Sequence, residues 1–166
     1  MEDKPDPVGA VHMRMGTRWH EFLQSVLEAT GKIKHIEFKL EKMDHIAGMV
    51  DVVIQEGKYN IPIEFKPLEK NKFMSMKEPD SHHAGQLLYY VHRLNAPYGR
   101  LVYYCKNISH WRKDVYDRMP ILEYKINKDP ALIKEFEAKA REIMKAIDNK
   151  SLPPIPAEFG PIFCKY

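Results

Sequence analysis

Apolar residues alternate with polar ones in Ile61-Pro62-Ile63-Glu64-Phe65-Lys66, and a strand turns successive side chains to opposite faces. Ile61, Ile63 and Phe65 therefore share one face, and Glu64 and Lys66 share the other. Upstream, Gly48-Met49-Val50-Asp51-Val52-Val53-Ile54 is a second β-rich run, with the turn-forming Gln55-Glu56-Gly57-Lys58-Tyr59-Asn60 between the two. The pair reads as a hairpin. With Gly57-Lys58 as a type II′ turn, glycine supplying the positive φ, Asp51 falls directly opposite Glu64. The same pattern predicts a helix over 11–29, strands over 34–41, 48–55 and 61–67, a loop, and a helix over 81–94. Strands over 100–106 and 121–126 follow. Asp129-Pro130 supplies an N-cap and a first-turn proline for a last helix with Leu132, Ile133, Phe136, Ala140, Ile143, Met144 and Ile147 on one side. The predicted fold class is α/β, a mixed central sheet bracketed by helices.

Opposed residues of such a hairpin lie roughly 5 Å apart at Cβ. Two carboxylates held that close repel each other unless a proton or a cation separates them. A metal accounts for the arrangement best, and hard oxygen ligands select Mg²⁺ or Mn²⁺. Lys66 beside them can orient a metal-bound water or neutralise charge developing on a phosphoryl group. The chemistry these groups serve is phosphodiester hydrolysis. An isolated Asp with Glu-x-Lys in an arbitrary chain is usually an ordinary solvated set, so the neighbouring motifs matter.

Those motifs stand in the order Gly16-Thr-Arg-Trp-His20, Gly48-Met-Val-Asp51, Ile63-Glu64-Phe65-Lys66 and Gln86-Leu-Leu-Tyr-Tyr90. This order resembles the PD-(D/E)XK nuclease superfamily, with its restriction-endonuclease-like core. Within it, the sequence is most similar to the RecB-like branch, including the CRISPR-associated RecB-like exonucleases. The resemblance runs from about His20 to Tyr90. It implies Asp51, Glu64, Lys66, Gln86 and Tyr90 as catalytic residues, and His20, Asp51, Glu64 and the Phe65 carbonyl as metal ligands. Gln86 would fix the active-site strand or the scissile phosphate, and Tyr90 would contact nucleic acid. Val50 stands where the superfamily name has proline, which the RecB-like branch tolerates. Glu21 and Glu28 are available as a further acid from the first helix, but His20 takes that role. Whether one metal binds or two is open.

Helical geometry bears on the outer motifs. Trp19, Phe22, Leu23, Val26 and Leu27 recur as one apolar stripe, with His20 on its edge and able to reach inward. In the later helix Ala84, Leu87, Leu88 and Val91 form the buried side, and Gln86 and Tyr90 share a flank one turn apart. His83 points to that flank, but near a helix start it is expected to be solvated.

At 166 residues and 44% hydrophobic, the chain can bury one good core. We expect a flexible arm over 1–10, a nuclease domain over 11–150 and a Pro-rich tail over 151–166 packed on it. The net charge of +3 does not by itself argue for nucleic acid. Local clustering does: Lys66, Lys70, Lys72 and Lys77 interleave with Phe73, Met74 and Met76, as suits a groove that tracks phosphates and stacks bases. Arg14 and Arg18, one turn apart ahead of His20, form a second phosphate contact. Many RecB-like exonucleases carry an iron–sulfur cluster on four cysteines. Here Cys105 and Cys164 are the only two, and none precedes His20, so no cluster is expected.

No apolar run approaches a membrane span and no signal pattern opens the chain. An intracellular location is expected, compatible with a phage or viral protein acting inside its host. The leading expectation is a Mg²⁺- or Mn²⁺-dependent deoxyribonuclease, an exonuclease on single-stranded DNA or free ends in repair, recombination or replication. DNA is the expected partner, with room for recombination or replication proteins. The alternatives are a structure-specific or RNA-cleaving endonuclease, and a nucleic-acid-binding module without turnover.

Overall fold

The computed structural model describes residues 21–43, 46–105 and 121–151. Arg14, Arg18, Trp19, His20, Cys164 and nearly all of the Pro-rich tail, all singled out by sequence, lie outside these residues. Helix α1 runs over residues 21–28. It is followed by β1 (Ile33–Met43), β2 (Ile46–Glu56), β3 (Tyr59–Leu68), α2 (Lys70–Ser75), α3 (Ser81–Arg93), β4 (Tyr98–Cys105), β5 (Ile121–Asn127) and α4 (Pro130–Asp148). The strands form one five-stranded sheet in the order β1-β2-β3-β4-β5. Only β3 and β4 pair in parallel; the other neighbours are antiparallel. A parallel pair cannot be joined by a tight turn, and α2 and α3 supply the crossover.

The β2–β3 hairpin has the predicted register. Glu56 pairs with Tyr59 and Val52 with Ile63, and Gly57 takes the positive φ of +60° at the turn. The backbone pairing stops at Val52–Ile63, one step short of Asp51 and Glu64. From there β3 continues against β4, so that Glu64 pairs with Leu101 and Lys66 with Tyr103.

Helix α3 packs closely on β4 because Gly99 has no side chain. A Cβ there would come within 2.7 Å of Leu87 Cδ1 and 2.9 Å of Val91 Cγ2. Gly99→Ala is therefore expected to cost about 1–3 kcal/mol through overpacking, read as a lower urea midpoint at unchanged m. Leu87 and Val91 join Val50, Val52, Leu101, Tyr103 and Tyr104 in the core. Asp80 begins α3, its Oδ1 accepting the His82 N–H at 3.1 Å. Asp129 caps α4 as predicted, its Oδ1 accepting the N–H groups of Ala131 at 3.0 Å and Leu132 at 3.1 Å.

Three expectations are corrected. The predicted loop after β3 holds a helix, α2, pinned by the buried Phe73. Its six residues are too few for an apolar period to show. In α1, Leu23 is buried, but Phe22 is 50% and Val26 49% exposed. In α4, Ile133 is buried while Leu132, Phe136, Ile143 and Ile147 are exposed. Both helices meet the body along one edge of their apolar arcs. For α4 that edge lies on α3, where the Phe136 and Tyr89 rings are 5.6 Å apart and His92 Nε2 lies 3.5 Å from Glu137 Oε1. Among the described residues no helix is long and apolar enough to cross a membrane.

Candidate active site

The place where the β2–β3 pairing ends is where the two carboxylates meet. Asp51 Oδ2 accepts the backbone N–H of Phe65 at 2.8 Å, so a side chain takes over where the backbone ladder stops. The Asp51 carbonyl in turn accepts from Gln24 Nε2 on α1 at 3.5 Å, a long bond that nonetheless brings α1 to this point. Glu64, on β3, points into the interior and is only 3% exposed. Its Oε1 accepts from Lys66 Nζ at 2.7 Å. Its Oε2 is buried with no hydrogen-bond partner among the described residues.

Burial, and after it the negative charge of Asp51, pushes Glu64 up from its ordinary 4.5 to about 7, with Lys66 pulling the other way. Burial disfavours an ionised carboxylate and a second carboxylate disfavours it further. A buried polar atom left unpaired costs free energy, and such atoms are uncommon in folded proteins. The Glu64 oxygen is therefore suited to a ligand that carries positive charge.

The Gly48 and Gln86–Tyr90 motifs meet in one contact. A Cβ on Gly48 would lie 2.7 Å from Tyr90 Cε1, so glycine is what lets the Tyr90 ring lie against β2 just before Asp51. The Tyr90 hydroxyl accepts from Gln86 Nε2 at 2.8 Å. Burial raises the Tyr90 hydroxyl's pKa above its usual value, against the Gln86 bond, and the charges of Glu64 and Asp51 raise it further. The ring's contact with Gly48 sets α3 beside the strand that carries Asp51. Tyr90 is 4% exposed, whereas Gln86 is half-buried, so Gln86 has the larger surface of the two.

His83 is not solvated as expected. It is half-buried, and its Nδ1 is 3.0 Å from the Tyr103 hydroxyl, which also accepts the Asp80 N–H at 3.0 Å. Burial lowers its pKa, Asp80 opposes that, and the charges of Lys66 and Lys72 add to it. Lys72 is exposed on α2 and its Nζ lies 3.3 Å from Asp80 Oδ2; Lys70 is half-buried on the same helix. Gln24 and Tyr104 were not singled out in sequence. Tyr104 is buried in β4 and raised to about 12, by burial first and then by the charge of Asp51. Nothing in their spacing signals this, since each is close to Asp51 only through the fold.

Among the described residues no group of three or more His, Cys, Asp or Glu side chains stands close enough to hold a metal. The described donors are the Asp51 and Glu64 carboxylates and the Phe65 backbone. The remaining predicted ligand, His20, lies outside the described residues.

No family model matches the chain, and no curated protein does. Among solved structures it is similar to an alkaline exonuclease, LHK-Exo, from Laribacter hongkongensis. The likeness has a TM-score of 0.61 at 16% identity and covers 80% of this chain and 66% of that one. The fold is restriction-endonuclease-like. The structure of LHK-Exo in complex with dAMP aligns with a TM-score of 0.64 at 13% identity, over 90% of this chain and 73% of that one. SSO0001 aligns with a TM-score of 0.54 at 24% identity, over 82% of this chain. The chain thus spans 60% of the length of SSO0001 and 66% of that of LHK-Exo.

Proposed function

We propose that this protein is a metal-dependent nuclease of the RecB-like type that hydrolyses DNA phosphodiester bonds from free or single-stranded ends. The observation that carries this reading is the buried Glu64 oxygen, without a partner among the described residues, beside Asp51 and Lys66 on a fold shared with an alkaline exonuclease. Asp51, Glu64, the Phe65 carbonyl and His20 would hold Mg²⁺ or Mn²⁺. The donor set suits such an ion: three hard oxygen donors beside one imidazole, two negative charges, and one carboxylate that burial makes costly to ionise alone. When bound, the cation supplies an activated water and neutralises charge on the phosphoryl group.

The chain's own groups supply the rest. Lys66 donates from Nζ to the attacking water or to the phosphoryl oxygens, sharing its proton with Glu64 until substrate arrives. Gln86 holds the strand being cut, braced by Tyr90, whose hydroxyl accepts from its Nε2. Lys70 and Lys72, with Arg14 and Arg18, follow the phosphates on either side. An intracellular site of action accords with a DNA substrate.

The test is incubation with Mn²⁺ or Mg²⁺ and equal amounts of linear and circular single-stranded DNA, with Glu64→Ala as control. Loss of the linear form alone, abolished in the control, is the expected result. Cleavage of both forms would make the protein an endonuclease. If neither is cut although metal binds, the next substrate is RNA, and failure there leaves a binding module without turnover.

A further inference from the structure

Gly85 sits in the middle of α3, where glycine is less favourable than alanine by about 1 kcal/mol. Packing does not call for it. A Cβ built on Gly85 would meet nothing within 4 Å, in contrast to Gly48 and Gly99, whose missing side chains admit a neighbour. A glycine with open space above it leaves bare backbone that a ligand can approach closely. That space belongs to a cleft of about 440 Å³ lined by Gly85 together with Ile46, Ser81, His82, Gln86 and Phe136, with Tyr89 and Tyr90 behind them. Such a volume is within the usual range for small-molecule sites.

Its aromatic residues are held in place. The Tyr89 hydroxyl accepts from Arg93 Nη1 at 2.8 Å, Phe136 lies against the Tyr89 ring, and Tyr90 is tied to Gln86. Phe136 nevertheless remains 42% exposed, an aromatic ring at the rim with one side uncovered. The cleft also shares Gln86 and Tyr90 with the neighbourhood of the carboxylates, since the Tyr90 ring lies against Gly48 on the strand that carries Asp51. A ligand with two flat apolar faces and a hydrogen-bonding edge fits the exposed Phe136 ring with Ser81, His82 and the Gln86 carboxamide around it.

We propose that the cleft over Gly85 is a nucleobase subsite, which seats a base of the bound strand next to the scissile phosphate. The proposal rests on the nuclease reading above and adds a residue of specificity to it: Gly85 keeps the cleft open, and the exposed Phe136 ring holds one base by stacking. A base seated here fixes how far the strand is fed toward the carboxylates.

The test uses fluorescently labelled single-stranded oligonucleotides, each with one abasic nucleotide at a different distance from the end, and anisotropy measured with Ca²⁺ in place of Mn²⁺. The wild-type protein is expected to lose affinity by about five-fold or more for one abasic position, against little change for the others. Gly85→Leu fills the cleft. It is expected to bind the intact strand about five-fold more weakly or worse, and to be indifferent to that abasic position. Gly85→Ala, as a second variant, is expected to raise the melting temperature, since the helix gains and nothing is displaced. Wild-type binding that ignores every abasic position, or a folded Gly85→Leu that still discriminates the same one, overturns the subsite while leaving the nuclease reading intact. A wild-type protein that neither binds these strands nor cuts them with Mn²⁺ overturns both.

Discussion

Lys66→Ala is expected to slow phosphodiester hydrolysis by about 10²- to 10⁴-fold while leaving Mn²⁺ affinity at pH 8 within about three-fold of wild type. The lysine Nζ lies 2.7 Å from Glu64 Oε1 and its side chain is mostly buried, so it acts at the site without being one of the proposed ligands. Charge that develops on a phosphoryl group in a dry site gains most from a donor already in place. Asp51→Ala is expected to abolish both activities, because it removes a ligand and also the acceptor of the Phe65 N–H. Calorimetric titration with Mn²⁺, paired with single-turnover cleavage, separates the two variants. Unchanged Mn²⁺ affinity in Asp51→Ala would remove it from the ligand set; near-normal cleavage by Lys66→Ala would remove the lysine from the chemistry.

The second large effect concerns stability without metal. Glu64 has a folded-state pKa of about 7 against an ordinary 4.5, so between these values the folded protein binds more protons than the unfolded chain. Stability is then greatest below the lower value and falls as pH rises through the upper one, by roughly 2–4 kcal/mol from this group. In EDTA, Glu64→Gln is accordingly expected to be more stable than wild type at pH 8, and to lose that advantage at pH 5, where the wild-type carboxyl is also neutral. Urea denaturation at the two pH values checks this. Added Mg²⁺ should reverse the order at pH 8, because the cation stabilises wild type by binding only its folded state. Equal stability of the two proteins in EDTA at pH 8 would mean that Glu64 is not strained as the geometry indicates.

The motifs did not all become interpretable at the same level. Gly48 and Tyr90 stand far apart in sequence as members of two separate patterns, and the ring lying on the glycine shows why both are needed. His83 was visible as a position on the flank of Gln86, yet the half-burial that lowers its pKa depends on Tyr103 from another strand. Gly85 was legible only as a helix residue of poor propensity; its meaning depends on what is missing above it.

The sequence by itself determined whatever rests on local geometry. Gly57 at the turn and the period-two alternation set the β2–β3 register, and with it the approach of Asp51 to Glu64, because a hairpin's turn fixes every pair above it. The capping aspartates set the starts of α3 and α4 in the same local way. The parallel β3–β4 pairing was decided only by the tertiary structure, because no turn fixes the register of strands joined by a crossover. That register sets Tyr103 beside Lys66 and packs Glu64 against Leu101. The exposed flanks of α1 and α4 were likewise decided there, since an amphipathic pattern states how much apolar surface a helix has and not how wide a strip its neighbours offer. The Glu64 oxygen without a partner among the described residues is the clearest case: alternation places the side chain on its face, but only tertiary packing buries it.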